Sequence, residues 1–178
     1  ITSTGALADG VFFEKLISLS KKHNSVIMIP SAGIGALDIL TASSYGTLDE
    51  VNITVRKNTA AWFGTIAEHT FDLKTYNDNL LLFSGTVREG AKLYPQNVNI
   101  SATVALSGLG LDKTNLKIIS DSSIDTHIIS VTAKGDFGEF NFEENVIPYE
   151  ENQKTGKIVS LAIIKSIQNL NANLVIGT

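Results

Sequence analysis

The chain has 178 residues, enough for one compact domain with a core but not for two full domains. Its 43% hydrophobic and 18% charged residues are typical of a globular protein and exclude a disordered or membrane-spanning one. A net charge of -4, with scattered lysines and arginines, argues against a nucleic-acid partner. The absence of cysteine excludes disulfides, thiolate zinc sites and a cysteine nucleophile, and it fits a cytoplasmic protein.

The first quarter of the chain alternates helical and strand patterns. Residues 10–22 have the spacing of an amphipathic helix, and the apolar run 25–30 predicts a strand buried on both faces. A turn of small residues over 30–38 leads into a predicted helix over 39–45, and its glycines let a ligand approach the backbone closely. Because helix, strand and glycine turn follow one another as in doubly wound sheets, we interpret residues 1–45 as the remnant of a dinucleotide-binding (Rossmann) domain.

Strand patterns dominate the remainder of the chain. The predicted elements are a half-exposed strand over 51–55, a strand over 79–87, a short helix over 88–94, a buried helix over 97–108, strands over 115–120, 127–133 and 139–146, and a largely buried helix over 154–170. Gly135 and Gly138 mark a turn between the last two strands, which are expected to pair antiparallel. The predicted fold is therefore α/β (α+β), a mixed sheet with helices packed on one face, preceded by the tail of a Rossmann-like domain.

Among the three histidines, His127 is the best candidate for chemistry. It opens an apolar strand and follows Asp121 and Asp125, two carboxylates that could orient its ring and raise its pKa. On spacing alone, a hydrogen-bonded residue at a strand end is the stronger interpretation. His23 at a helix end and His69 in a polar loop have ordinary surface roles, and no metal site is expected because no second histidine lies at ligand spacing.

Two asparagines open the predicted helix over 97–108. Asn97 could cap the helix, which accounts for one of them. Asn99 then needs another reason, and amide side chains at a helix start can bind the carboxamide or carboxylate of a ligand.

Four motifs in register connect these features to a known family. They are Gly5-Ala-Leu-Ala-Asp9, Pro30-Ser-Ala-Gly-Ile-Gly-Ala-Leu-Asp38, Arg88-Glu-Gly-Ala-Lys-Leu-Tyr-Pro-Gln-Asn-Val-Asn99 and Asp121-Ser-Ser-Ile-Asp-Thr-His127, closed by Glu151-Asn-Gln-Lys-Thr155. In this order they resemble the L-aspartate dehydrogenases, and the resemblance spans nearly the whole chain. It implies NAD- or NADP-dependent oxidation of L-aspartate to iminoaspartate, which hydrolyses to oxaloacetate and ammonia or feeds NAD biosynthesis.

The resemblance also implies roles for particular residues. His127 matches the catalytic histidine, and the cofactor contacts would be Ser31, Ala32, Gly33 and Asn97. Apart from the resemblance, we expect Asn99, Lys57 and Arg88 to contact the substrate, and Lys154 is a further candidate for a carboxylate contact. Residues 46–150 would form the catalytic domain and residues 151–178 a C-terminal helix that packs back on the cofactor domain. The expected assembly is a homo-oligomer, a dimer, with a small-molecule substrate and neither nucleic acid nor membrane as partner.

The sequence departs from the family pattern at three places. Ser31-Ala32-Gly33 replaces the usual Ser-Gly-Ala, Lys57-Asn58-Thr59 replaces Lys-Pro-Pro, and Thr126 replaces an asparagine. These changes leave open a related dehydrogenase for another small amino or carboxylic acid, or a non-catalytic dimerisation or ligand-sensing domain. No Gly-x-Gly-x-x-Gly turn occurs in the chain, so the pyrophosphate site is expected either to lie upstream or to be absent. The chain alone is expected to be inactive.

Overall fold

The fold is built on one five-stranded mixed sheet with the strand order β2-β3-β1-β4-β5. The computed structural model describes residues 1–75 and 79–177. The strands are β1 (Leu48–Lys57), β2 (Leu80–Thr86), β3 (Asn115–Ser120), β4 (His127–Gly135) and β5 (Gly138–Val146). The helices are α1 (Gly10–Lys22), α2 (Leu37–Ser43), α3 (Ile66–Thr70), α4 (Val87–Leu93), α5 (Asn99–Ser107) and α6 (Ile158–Asn169), with 3₁₀ turns at Thr4–Ala8 and Thr59–Trp62.

The central strand β1 shows why the sheet has one buried face. Val51, Ile53 and Val55 alternate with polar residues and are at most 1% exposed. β1 pairs parallel with β3 and antiparallel with β4, and β4 and β5 form the predicted antiparallel pair. The predicted mixed sheet is confirmed.

Helices cover that buried face. α5 packs against β1, and its Ala102, Val104 and Ala105 are fully buried because small side chains let the helix approach the sheet closely. α4 begins at a capping box in which Thr86 and Glu89 satisfy each other's backbone amides. The opposite face of the sheet carries the polar half of each alternating strand, so the helices lie on one face as predicted.

Strand register brings two candidate side chains together at one end of the sheet. Arg56 of β1 pairs with Ile128 of β4, so the next pair outward is Lys57 and His127. Both side chains belong to the buried face, at 3% and 4% exposure. Neighbouring residues across an antiparallel pair are close enough to interact directly, which places the candidate site at this end of the sheet.

Two sequence predictions about the terminal segments are wrong. Residues 25–30 do not form a strand, and Val26 and Met28 are 83% and 45% exposed. A strand buried on both faces needs neighbouring strands, and none lies beside this segment in the described part of the chain. The helix predicted as largely buried is α6, but of its residues only Ala162 is buried, and Leu161, Ile164 and Ile167 are exposed. Within residues 1–75 and 79–177, no helix combines the length and apolarity needed to cross a bilayer.

Candidate functional site

A cavity of about 230 Å³ lies at the end of β1 and β4 where Lys57 and His127 meet. Five parts of the chain line it: residues 2–4, the turn around 30–33, the ends of β1 and β4 with Val146, the stretch 96–103, and residues 154–159. Among the described residues that line it, there is no aspartate or glutamate. The cavity therefore carries lysine and histidine side chains without an acidic counterpart on its wall.

His127 enters the cavity as a neutral imidazole. Its Nε2 lies 2.8 Å from the carbonyl oxygen of Gln153, and a carbonyl can only accept, so Nε2 carries the proton and Nδ1 is left as an acceptor. Burial first, and then the charge of Lys57, lower the pKa of His127 to about 4, although the bond to Gln153 opposes the shift.

The expectation that nearby carboxylates raise this pKa is wrong. The carboxylate of Asp121 is buried, but it accepts hydrogen bonds from the backbone amide and hydroxyl of Ser123, at 2.9 and 2.6 Å. Asp125 is exposed. Asp121 instead shapes the loop that precedes β4, and burial with a lysine neighbour decides the protonation of the ring.

Lys57 is a lysine buried at the end of the central strand. Its Nζ donates to the carbonyl oxygen of Lys154 at 3.3 Å and lies 6.0 Å from the centre of the Trp62 ring. Burial, and next the charge of Lys154, lower the pKa of Lys57 to about 8. The ammonium is still charged at neutral pH, and it has no anionic partner among residues 1–75 and 79–177. A buried cation of this kind is a strong candidate for binding an anionic ligand.

Asn97 offers a complete and unused amide. It is 5% exposed, and neither its Oδ1 nor its Nδ2 has a hydrogen-bond partner among the described residues. Buried polar atoms are normally paired, so an amide that is left free on a cavity wall is suited to a ligand with complementary groups. The N-cap of α5 is Val98 and not Asn97, which corrects the capping prediction.

The glycine turn reaches the cavity through two of its three predicted contacts. Ala32 and Gly33 line the cavity, and Ser31 does not. Gly33 is buried against Ile100, with the position of an added Cβ only 3.4 Å from that side chain. Ala32 has a φ of +54°, in the left-handed region that favours glycine.

Replacing Ala32 with glycine should raise the free energy of unfolding by about 0.5–1 kcal/mol, because it removes the cost of a left-handed alanine. Urea denaturation would measure the change. The control is Ala42→Gly in α2, where right-handed helical geometry predicts a loss of about 1 kcal/mol or less. A loss of stability in Ala32→Gly equal to that of the control would contradict the argument.

The remaining predicted contacts divide between the cavity and the surface. Asn99 lines the cavity, but its Oδ1 accepts the backbone amide of Gly5 at 2.9 Å and so holds the N-terminal 3₁₀ turn in place. Arg88 does not line the cavity. Its guanidinium forms an ion pair with Asp112, with Nη2 to Oδ2 at 2.8 Å, and this pairing raises its pKa.

Sequence reasoning missed two parts of this region. Gln153 supplies the carbonyl that fixes the His127 ring, and a backbone acceptor leaves no signal in the residue type. Glu144 lies on the buried side of β5 opposite Ile129, and burial raises the pKa of its carboxyl to about 7. The alternation with Phe142 and Val146 on the same side was the signal that could have identified it.

Comparison with known proteins gives one consistent result. The family described as "Aspartate dehydrogenase, C-terminal" matches residues 38–170. The chain is 37% identical to an L-aspartate dehydrogenase of Cupriavidus necator over 95% of its own length and 64% of that protein. It is 32% identical to an L-aspartate dehydrogenase of Methanosarcina mazei, over 100% of this chain and 66% of that protein.

A solved structure gives the same result for the fold. The crystal structure of aspartate dehydrogenase from Thermotoga maritima superposes with a TM-score of 0.80 at 26% identity, covering 99% of this chain and 67% of that one. The chain thus spans about 64% of the length of the first curated relatives that it matches.

Proposed function

The chain belongs to the aspartate dehydrogenase C-terminal family, and from that premise we propose that it forms the substrate-binding and catalytic part of an NAD- or NADP-dependent L-aspartate dehydrogenase. One observation carries the proposal: a neutral imidazole, a buried ammonium and a free amide meet in one cavity, on His127, Lys57 and Asn97. The reaction would oxidise the Cα–N bond of L-aspartate to the imine, which water then hydrolyses to oxaloacetate and ammonia.

His127 and Lys57 have different roles toward the substrate. Lys57 binds a carboxylate, because a buried cation gains most from an anion that replaces the lost water. The free Nδ1 of His127 accepts a proton from the substrate amino group as the imine forms. A bound dicarboxylate offsets the charge of Lys57, so it raises the pKa of His127 above about 4 and makes the ring a better base.

A nicotinamide cofactor fits other residues of the cavity lining, namely Asn97, Ala32 and Gly33. The unpaired Oδ1 and Nδ2 of Asn97 complement the donor and acceptor of a carboxamide. The backbone of Ala32 and Gly33 permits close approach of a flat ring. When bound, the nicotinamide supplies the acceptor for the hydride that leaves the substrate α-carbon.

We assign residues 1–45 and 151–178 to the side of the cofactor domain, and residues 46–150 to the catalytic domain. The support is the exposure of apolar side chains on α1 and α6, which a further layer of a dinucleotide-binding domain would cover. Those exposed residues are Val11, Phe12, Leu19, Leu161, Ile164 and Ile167. A neighbouring strand from such a domain would also explain the apolar run 25–30.

The proposed assembly is a homodimer in the cytoplasm. The polar face of the sheet, opposite the helices, is available for a second copy, and Asn52 and Thr132 on it are already joined by a 3.0 Å hydrogen bond. Sedimentation of the full-length protein tests the dimer.

The function is tested by the absorbance of the reduced cofactor when the full-length protein is mixed with L-aspartate and NAD⁺ or NADP⁺. We expect reduction that depends on aspartate and that is slower by at least about 100-fold with L-alanine, which lacks the second carboxylate. If the cofactor is reduced with another small acid and not with aspartate, that acid is the substrate. No reduction with any amino or hydroxy acid would favour a ligand-sensing domain.

A further inference from the structure

Residues 148–156 form a strap that is fixed to the catalytic side chains by its backbone. A bridge between Pro148 and Gly156 closes it at the base, and the amide of Tyr149 donates to the carbonyl of Thr155 at 3.0 Å. Two successive carbonyls in the strap, those of Gln153 and Lys154, accept from His127 and Lys57 respectively. The backbone of the strap is therefore in direct contact with both side chains.

The side chain of Lys154 connects the strap to another part of the cavity lining. Its Nζ donates to Oε1 of Gln96 at 2.8 Å, on the segment between α4 and α5. A neutral amide is a weak partner for an ammonium compared with a carboxylate. Lys154 lines the cavity together with Lys57, and their charges repel each other. Two cations without an acidic residue in the described cavity lining call for a ligand with two negative charges.

We propose that Lys154 is the specificity-determining residue that binds the second carboxylate of the substrate, exchanging Gln96 for it. The inference rests on the proposed function and deepens it, because it states how the site distinguishes a short 2-amino dicarboxylate from a monocarboxylate of equal length. Lys57 binds one carboxylate at the strand end, and Lys154 binds the other from the strap.

The test compares the binding of succinate and butyrate by titration calorimetry in the full-length protein. Lys154→Met should weaken succinate at least about 10-fold and leave butyrate unchanged, since only the dianion loses a charged contact. Lys154→Arg should recover part of the affinity. The matched control is Lys157→Met, an exposed lysine three residues further along that does not line the cavity.

A second variant tests whether Lys154 recognises the substrate or only has a structural role. Gln96→Glu gives Lys154 a permanent carboxylate partner. If the contact between residues 154 and 96 only holds the structure together, the new ion pair strengthens it; if Lys154 binds the ligand, the new carboxylate competes with the ligand for Lys154. We expect it to weaken succinate at least about 10-fold without lowering the melting temperature. In turnover, Lys154→Met should lower kcat/KM for aspartate by a similar factor and leave kcat/KM for 2-aminobutyrate unchanged.

The outcomes distinguish this inference from the function on which it rests. If the unmutated protein reduces the cofactor with aspartate but Lys154→Met and Gln96→Glu bind succinate as tightly as it does, the role of Lys154 is overturned and the function stands. If the unmutated protein neither binds succinate nor turns over aspartate, both fall together.

Discussion

His127→Gln is expected to lower aspartate-dependent cofactor reduction by at least about 100-fold while the protein stays folded. Glutamine can place an N–H near the position of the imidazole Nε2 and so keep the hydrogen bond to the carbonyl of Gln153, which is 2.8 Å long in the structure. It has no counterpart to the basic Nδ1. The variant therefore removes the proton acceptor without releasing the strap.

The measurement is kcat and KM for aspartate beside the affinity for succinate. We expect kcat to fall while succinate affinity changes by less than about threefold, because the carboxylate contacts belong to the lysines. His127→Ala should lose activity equally but also loosen the strap. If His127→Gln has a near-normal kcat, the imidazole does not take part in the reaction. His127 is then only a strand-end residue that is hydrogen-bonded to Gln153.

The same histidine predicts how stability depends on pH. Its pKa is about 4 in the folded protein and near 6.5 when exposed, so the unfolded chain binds the proton more readily. Stability is therefore lost as pH falls from about 6.5 to about 4, by about 3 kcal/mol from this group. In His127→Gln that part of the pH dependence should disappear, which urea denaturation at several pH values would detect.

The sequence predicted the sheet better than the ends of the chain. The strands β1 and β4 alternate apolar and polar residues, and the partners of all five strands lie within the chain, so local pattern and tertiary structure agree. Residues 25–30 and α6 have equally clear apolar patterns, but many of their apolar side chains are exposed here, among them Val26, Met28, Leu161, Ile164 and Ile167. A pattern indicates that a surface will be buried, and it does not say which part of a protein will cover it.

The candidate site divides in the same way. His127, Lys57 and Asn97 were predicted by residue type and motif, and they line one cavity. Arg88 belongs to an equally clear motif, yet its partner is Asp112. A sequence shows which side chains carry a charge. It does not show which of several possible partners lies close enough to pair with that charge. The backbone carbonyls that fix His127 and Lys57 are carried by every residue, so only the folded strap could identify them.

Lys57→Met is expected to make the protein more stable and to weaken its binding of dicarboxylates. Lys57 is 3% exposed and its pKa is about 8 against 10.5 in water, so keeping its ammonium charged costs stability at neutral pH. A methionine of similar length should gain about 2 kcal/mol at pH 7. Succinate affinity should fall at least about 30-fold, since the buried charge is lost.

The pH dependence identifies the cause of this gain. Because the pKa of Lys57 is lowered on folding, the stability of the unmutated protein rises as pH increases from about 8 to about 10.5, where the folded protein has already released the proton. The advantage of Lys57→Met should therefore shrink over that range. Lys117→Met, on the exposed side of β3, is the control and should change stability by less than about 0.5 kcal/mol at any pH. If Lys57→Met is instead less stable than the unmutated protein at pH 7, the argument is contradicted. The ammonium would then stabilise the fold through its contacts with Trp62 and the strap carbonyl.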